Sequence, residues 1–333
     1  MPKTTPLLEV SRLSIGIRRE TELLSAVDDI SFSVRRGEIL GIVGESGCGK
    51  SLTCLSIVNL LPEAAKITGG TIAYFQENAE NARNMASLSE RELCRIRGKE
   101  IAMIFQEPRQ SLNPLEKIGP QITETLELHG MKNRKTARQL ALEMLTTLGF
   151  GEPEAVFRSY PHQLSGGMCQ RVMIAIAAIC RPRLLIADEP SAALDAAAQD
   201  QILALLGRIN RDFNTAILFV SHDLSVVHRF CERFLVMYAG KILEEGPAEL
   251  LFSAPAHPYT KGLTGAIPRK ERRGSPLANI PGRVPSIESR LPGCPFAPRC
   301  AQAQAQCSAA FPPEARLSAE HRVHCFAAEA RYD

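Results

Sequence analysis

The chain has 333 residues, of which 45% are hydrophobic and 23% charged, a balance that excludes wholesale disorder and suggests about two domains. A net charge of +3, with 5% aromatics and no Trp, gives no general basic or stacking face for a nucleic acid. No run reaches the about 18 apolar residues of a membrane-spanning helix, and the opening MPKTTPLLEVSR has no apolar signal core, so the expectation is a cytoplasmic chain that does not itself span a membrane.

Two alternating stretches, LLEVSRLSIGI and AVDDISFSV, read as half-buried strands joined to the next segment through a turn at RRGE. Glu38 to Gly44 is a short apolar strand that runs into a glycine cluster, and SLTCLSIVNLL follows with helical spacing. Strands are then expected over Gly69 to Phe75 and Glu100 to Gln106. Between Pro108 and Pro161, Leu126, Leu140, Leu145 and Leu148 recur among Glu, Lys, Thr and Arg, which predicts a helical insertion. Arg183 to Glu189 and Thr215 to Asp223 are buried-strand candidates. Strands alternating with helices predict an α/β fold with a largely parallel sheet. After about residue 265 a charged connector, PRKERRG, leads to Pro281, Pro285, Pro292, Pro295 and Pro298, which disfavour regular helix or central strand.

Gly44-Glu45-Ser46-Gly47-Cys48-Gly49-Lys50-Ser51 fits G-x-x-x-x-G-K-S/T between a strand and a helix. Triphosphate is a dense anion that successive N–H groups at a helix start can wrap, and glycines let the backbone approach it. Lys50 adds a point charge, and the Ser51 hydroxyl is a Mg²⁺ ligand candidate. Cys48, beside Lys50 at a helix start, is a candidate for a lowered thiol pKa and for alkylation that ATP prevents. LLIADE ends its strand on Asp188 and Glu189, one acid suited to Mg²⁺ and the next to activating water, although a solvated strand end reads the same way alone. Leu164-Ser165-Gly166-Gly167-Met168-Cys169-Gln170 sets a second anion-binding helix start before an apolar run. Two such ends with one set of acids make sense if two subunits close each other's sites.

In this order and spacing the motifs resemble the ATP-binding subunit of an ABC transporter over residues from about 5 to 265. The resemblance implies a P-loop fold of ABC type: a mixed sheet core, an antiparallel β subdomain and a helical subdomain at about 108–164. It matches Gln106 in IFQEP to the Q-loop, LSGGMCQ to the signature, Asp188 and Glu189 to the Walker B acids, Ala193-Leu194-Asp195 to the D-loop and His222 in VSHD to the switch. It implies ATP contacts from Gly44, Ser46, Gly47, Cys48, Gly49, Lys50, Ser51, Leu52 and Asp195, and from Ser165, Gly166 and Gly167 of an opposing subunit. It further implies that Mg²⁺ is held through Ser51, Gln106 and Asp188, and that Glu189, His222 and Gln106 form the catalytic set. The aromatic that stacks on adenine in many members is missing near Ile17.

FQEPRQSLNP, AHPYTKGL and GCPFAPRC resemble the oligopeptide/dipeptide/nickel importer branch. That branch implies a second, related ATPase chain, two membrane permeases and an extracytoplasmic binding protein, with this chain on the cytoplasmic face of the membrane and no nucleic-acid partner. Nickel or another small solute, or less readily a soluble ABC ATPase acting on ribosomes or DNA, are the alternatives. Six cysteines are scattered before residue 232, and four, Cys294, Cys300, Cys307 and Cys325, crowd into a Pro/Cys-rich extension at 266–333. Thiols in a reducing compartment suit zinc, an iron–sulfur cluster or no ligand at all, with His321 and His324 as spare donors. The branch resemblance implies a 4Fe–4S cluster.

Overall fold

The computed structural model describes residues 6–76, 82–192, 194–267, 279–290 and 292–329. Ala193 of the D-loop and the basic run Lys270 to Arg273 lie outside these residues.

Apolar alternation builds β1 (Pro6–Arg19) and β2 (Glu22–Arg35), with Leu8, Val10, Leu13 and Ile15 of β1 buried. β3 (Ile39–Val43) shows no alternation because all five residues are buried, as in a strand covered on both faces. After α1 (Lys50–Ile57) come β4 (Ala65–Tyr74) and β5 (Arg83–Asn84). α2 (Glu90–Ile96) starts on a capping box in which Glu92 accepts from the Ser89 N–H at 3.0 Å. β6 (Ile101–Ile104) ends two residues before the expected Gln106, and Phe105 beyond it is 39% exposed. The predicted helical stretch is α3 (Pro108–Ser111), α4 (Ile118–Leu128), α5 (Arg134–Thr147) and α6 (Pro153–Arg158), followed by α7 (Gly166–Ala178).

β7 (Leu184–Asp188), α8 (Ala196–Phe213), β8 (Ala216–Ser221) and α9 (Leu224–Phe230) continue the alternation. β9 (Arg233–Tyr238) and β10 (Lys241–Pro247) form a hairpin whose two-residue turn, Ala239-Gly240, has both residues at positive φ. α10 (Ala248–Ser253), α11 (Pro258–Gly265), α12 (Ala305–Ala309), β11 (Ala315–Arg316), β12 (Arg322–Val323) and α13 (Phe326–Glu329) complete the described elements.

The chain divides into two compact units. One comprises Arg35–Glu38 and Ser87–Leu218. In it β6 runs parallel to β7, Ile101 opposite Leu184 and Ile104 opposite Ala187. α4 packs on α5, α6 and α7, and Ile118 and Ile122 of α4 and Ala137, Ala141 and Leu145 of α5 are buried. The other comprises Pro6–Val34, Ile39–Ala86 and the chain from Phe219 on. It holds an antiparallel sheet in the order β2-β1-β4-β5, in which Leu8 faces Tyr74 and Val10 faces Ile72. It also holds the order β11-β12-β10-β9-β3, which is mixed: β3 is parallel to β9, and every later pair is antiparallel. The proline-rich end is therefore not wholly irregular. Two-residue strands carry no readable period, and β12 is held along β10 by pairing (Glu244 opposite Val323) and by Arg322 bridging Glu245 and Glu314.

Candidate active site

The glycine loop leaves β3 at its carboxyl end, where α/β folds place ligands. Gly44 is dictated by space: a Cβ there would lie 2.1 Å from the Met237 carbonyl oxygen of β9. Gly47 and Gly49 are dictated by conformation, at φ +78° and +103°. Gly49 caps α1 without a side-chain hydrogen bond, and the first N–H groups of such a helix are anion donors. Lys50 is buried, and its ammonium donates to the carbonyls of Gly44 at 2.7 Å and Glu45 at 3.1 Å. Ser46, Gly47 and Ser51 are exposed, and Leu52 is half-buried. Ile17, where the stacking aromatic is missing, is half-buried in β1 opposite Ala65.

Cys48 corrects an expectation. It is fully buried, and burial pushes its thiol up against the opposing pull of Lys50. The helix start and the ammonium do not activate a sulfur that solvent and reagents cannot reach.

His222 follows β8 and is exposed, and its neighbour Asp223 caps α9 by accepting from the Ser225 N–H at 2.8 Å. That capping role is legible as Asp-x-Ser before an apolar run, a signal the motif reading passed over.

In the other unit, β7 ends on Asp188, which is buried. Glu189 follows at φ +48°, a conformation that costs a non-glycine residue energy and concentrates at functional positions. The Gln106 amide donates to the Glu189 carboxylate at 3.5 Å across 83 positions of sequence, so two of the catalytic candidates meet within this unit. Ser165 caps α7, its hydroxyl accepting from the Met168 N–H at 3.3 Å. A Cβ on Gly166 or Gly167 would meet no described atom within 4 Å. Asp195 caps α8 by accepting from the Ala198 N–H at 2.9 Å.

Cys294, Cys300, Cys307 and Cys325 line one small cavity together with His257 and Phe296. Burial pushes the Cys294 thiol up to about 11, and raises Cys300 and Cys325 as well. Backbone N–H groups oppose this at three of these sulfurs: Phe296 and Ala297 at Cys294, Gln302 at Cys300, Ala327 and Ala328 at Cys325. At the fourth, the Gln304 N–H donates to Cys307 at 3.4 Å. Among the described residues no group of three or more His, Cys, Asp or Glu side chains is arranged to hold a metal ion. Neither of the two spare-donor candidates, His321 and His324, is among the residues that line this cavity. His321 is buried with Nε2 2.8 Å from the Glu244 carboxylate, and His324 Nδ1 lies 3.0 Å from the Pro312 carbonyl.

Among the described residues no helix is long and apolar enough to cross a membrane. The ABC transporter family matches residues 27–192, and the C-terminal region of oligopeptide/dipeptide transporters matches residues 243–307. The chain is 46% identical over 310 residues to the oligopeptide transport ATP-binding protein OppD of Salmonella typhimurium, covering 93% of this chain and 90% of that one. It is 44% identical over 321 residues to the oligopeptide transport ATP-binding protein AppD of Bacillus subtilis, covering 96% of each. A solved dimer of a bacterial ABC transporter cassette superposes with a TM-score of 0.64 at 28% identity, over 72% of this chain and 98% of that chain. With the glycine loop, the paired acids and the signature helix in place, the chain belongs to the family of ABC transporter ATP-binding proteins, in the branch that carries the oligopeptide/dipeptide C-terminal region.

Proposed function

We propose that this chain is the ATP-hydrolysing subunit of a peptide importer, bound at the cytoplasmic face of the membrane. The observation that carries the reading is likeness over nearly the whole chain to oligopeptide transport ATP-binding proteins, C-terminal region included. ATP binds at Gly44 to Leu52, with Lys50 at the outer phosphates. Oxygen donors suit Mg²⁺, and the exposed Ser51 hydroxyl, Gln106 and the Asp188 carboxylate are the set that would hold it. Mg²⁺ supplies charge neutralisation between the phosphates. Glu189 takes the proton of the attacking water, Gln106 orients that carboxylate, and His222 contacts the γ-phosphate.

The signature glycines support a two-subunit site. Gly166 and Gly167 are not required to be small by anything described around them in this chain, so their smallness serves something that approaches from outside it. Here that is the nucleotide held by a second ATPase chain, with Ser165 beside it and Asp195 near the seam. Closure would then drive two permeases fed by an extracytoplasmic binding protein. The test is ATPase activity of the purified complex in lipid. Addition of binding protein loaded with short peptides should raise turnover several-fold, an amount on the order of 1 kcal/mol in the barrier. No response to any peptide-loaded binding protein, with the basal ATPase intact, would remove the peptide reading.

The four cysteines hold a 4Fe–4S cluster in this proposal. The donor chemistry supports it: four soft thiols line one cavity, the ligand type such clusters take, and because burial raises the Cys294, Cys300 and Cys325 thiols, loading a cluster would displace their protons. A bound cluster supplies cross-linking of a loop-rich segment. Anaerobically purified protein should carry about four irons per chain and absorb at about 400 nm. Stoichiometric zinc, or no metal, is the contrary result.

A further inference from the structure

Glu45 is an acid inside a loop built to hold an anion. A bare carboxylate there repels triphosphate. Every polar group of Glu45 is tied down. Its N–H donates to the Tyr259 hydroxyl at 3.1 Å, its carbonyl accepts from Lys50 at 3.1 Å, and its carboxylate accepts from Arg299 at 2.9 Å. Tyr259 belongs to AHPYTKGL and Arg299 to GCPFAPRC, the two C-terminal motifs that the hydrolytic roles leave unused.

Both contacts are held by buried structure rather than by loose surface side chains. Tyr259 is fully buried, and burial raises its hydroxyl well above the usual range, keeping it neutral. Its ring meets Tyr238 edge-on at 4.7 Å and Phe296 at 5.2 Å. The Arg299 side chain is 6% exposed against 32% for Glu45. Besides Glu45, its guanidinium donates to the Tyr238 hydroxyl at 3.1 Å and to the carbonyls of Pro281 at 2.8 Å and Ile280 at 3.2 Å. A guanidinium with that many fixed acceptors is a rigid anchor. Phe296 and Cys300, on either side of Arg299 in sequence, bear on the cysteine cavity, and so does His257, two residues before Tyr259.

We propose that Tyr259 and Arg299 are positioning residues for the phosphate loop. They grip Glu45 by its amide and its carboxylate, cancel its charge, and through its carbonyl set where Lys50 stands. The cysteine-bearing C-terminal region thereby tunes ATP affinity. The proposal rests on the reading that ATP occupies this loop, and it goes beyond that reading in giving the C-terminal motifs a role there.

The test uses the full-length chain in its purified complex, with ATPase kinetics and Tm measured together. Arg299→Ala should raise the KM for ATP about tenfold with kcat within about twofold of wild type, because ground-state binding and not chemistry is lost. Glu45→Gln added to that variant should return KM to within about threefold of wild type, since the uncompensated charge is then gone. A merely structural loss would not be rescued in this way. Tyr259→Phe keeps the packed ring, removes the acceptor, and should raise KM about threefold. An unchanged KM in both single variants, or no rescue by Glu45→Gln, overturns the proposal; if Arg299→Ala does not fold, Tyr259→Phe decides it alone. Lys50→Ala separates the two readings: normal ATP binding in that variant would refute the site itself, whereas its loss alongside a wild-type KM in the other variants would refute only the positioning roles.

Discussion

Glu189→Gln is expected to cut steady-state ATP hydrolysis by about 10²–10⁴-fold while nucleotide binding persists. The amide keeps the shape of the side chain and cannot accept a proton from water. Shape matters at this position. Glu189 sits at φ +48° directly after the buried strand β7, so the backbone aims the carboxylate, and Gln106 reaches it at 3.5 Å. An alanine variant would confound lost chemistry with altered backbone preference in a left-handed conformation. ATP turnover and retention of bound nucleotide, measured on the same preparation, separate binding from chemistry. Turnover within about threefold of wild type would show that Glu189 is not the base.

The second large effect is on stability. Glu244 in β10 is fully buried, and its carboxylate accepts from the N–H groups of Ala256 at 2.6 Å and His257 at 3.0 Å and meets His321 Nε2 at 2.8 Å. One side chain thus ties β10 both to the turn before α11 and to the C-terminal strands. Glu244→Ala leaves two backbone donors and a buried imidazole without their acceptor, and it should lower the unfolding free energy by about 3–5 kcal/mol. Glu244→Gln, which keeps an acceptor oxygen, should lose less. Urea unfolding midpoints of the three proteins check the order. A loss under about 1 kcal/mol for the alanine variant would mean that water or relaxation satisfies those donors. Because that turn leads directly into Tyr259 of α11, the alanine variant should also weaken ATP binding as it loosens.

The strands and helices that carry chemistry were legible because their signals are local. Alternation in β1 and β2, an unbroken apolar run in β3, glycines followed by an amphipathic helix, and prolines after residue 280 are each written within a dozen positions. β11 and β12 were not legible, since a two-residue strand has no period: β12 is a strand only through its pairing with β10, and β11 only through its pairing with β12. The Asp223 cap is local too: an Asp two residues before a Ser at the start of an apolar run is a helix-start signal.

Burial and long-range meeting are of another kind. A thiol beside a lysine at a helix start reads as reactive until the packing places Cys48 wholly inside. Two histidines flanking a cysteine read as spare donors, and only the packing sets His321 on Glu244, 77 positions away. By itself the sequence determined the phosphate loop, the strand-end acids, the signature helix and the family, because each is a short pattern whose geometry follows from neighbouring residues. Only the tertiary structure decided that Arg299 meets Glu45 across 254 positions, and that four thiols share one cavity, because spacing along a chain carries no distance across a fold.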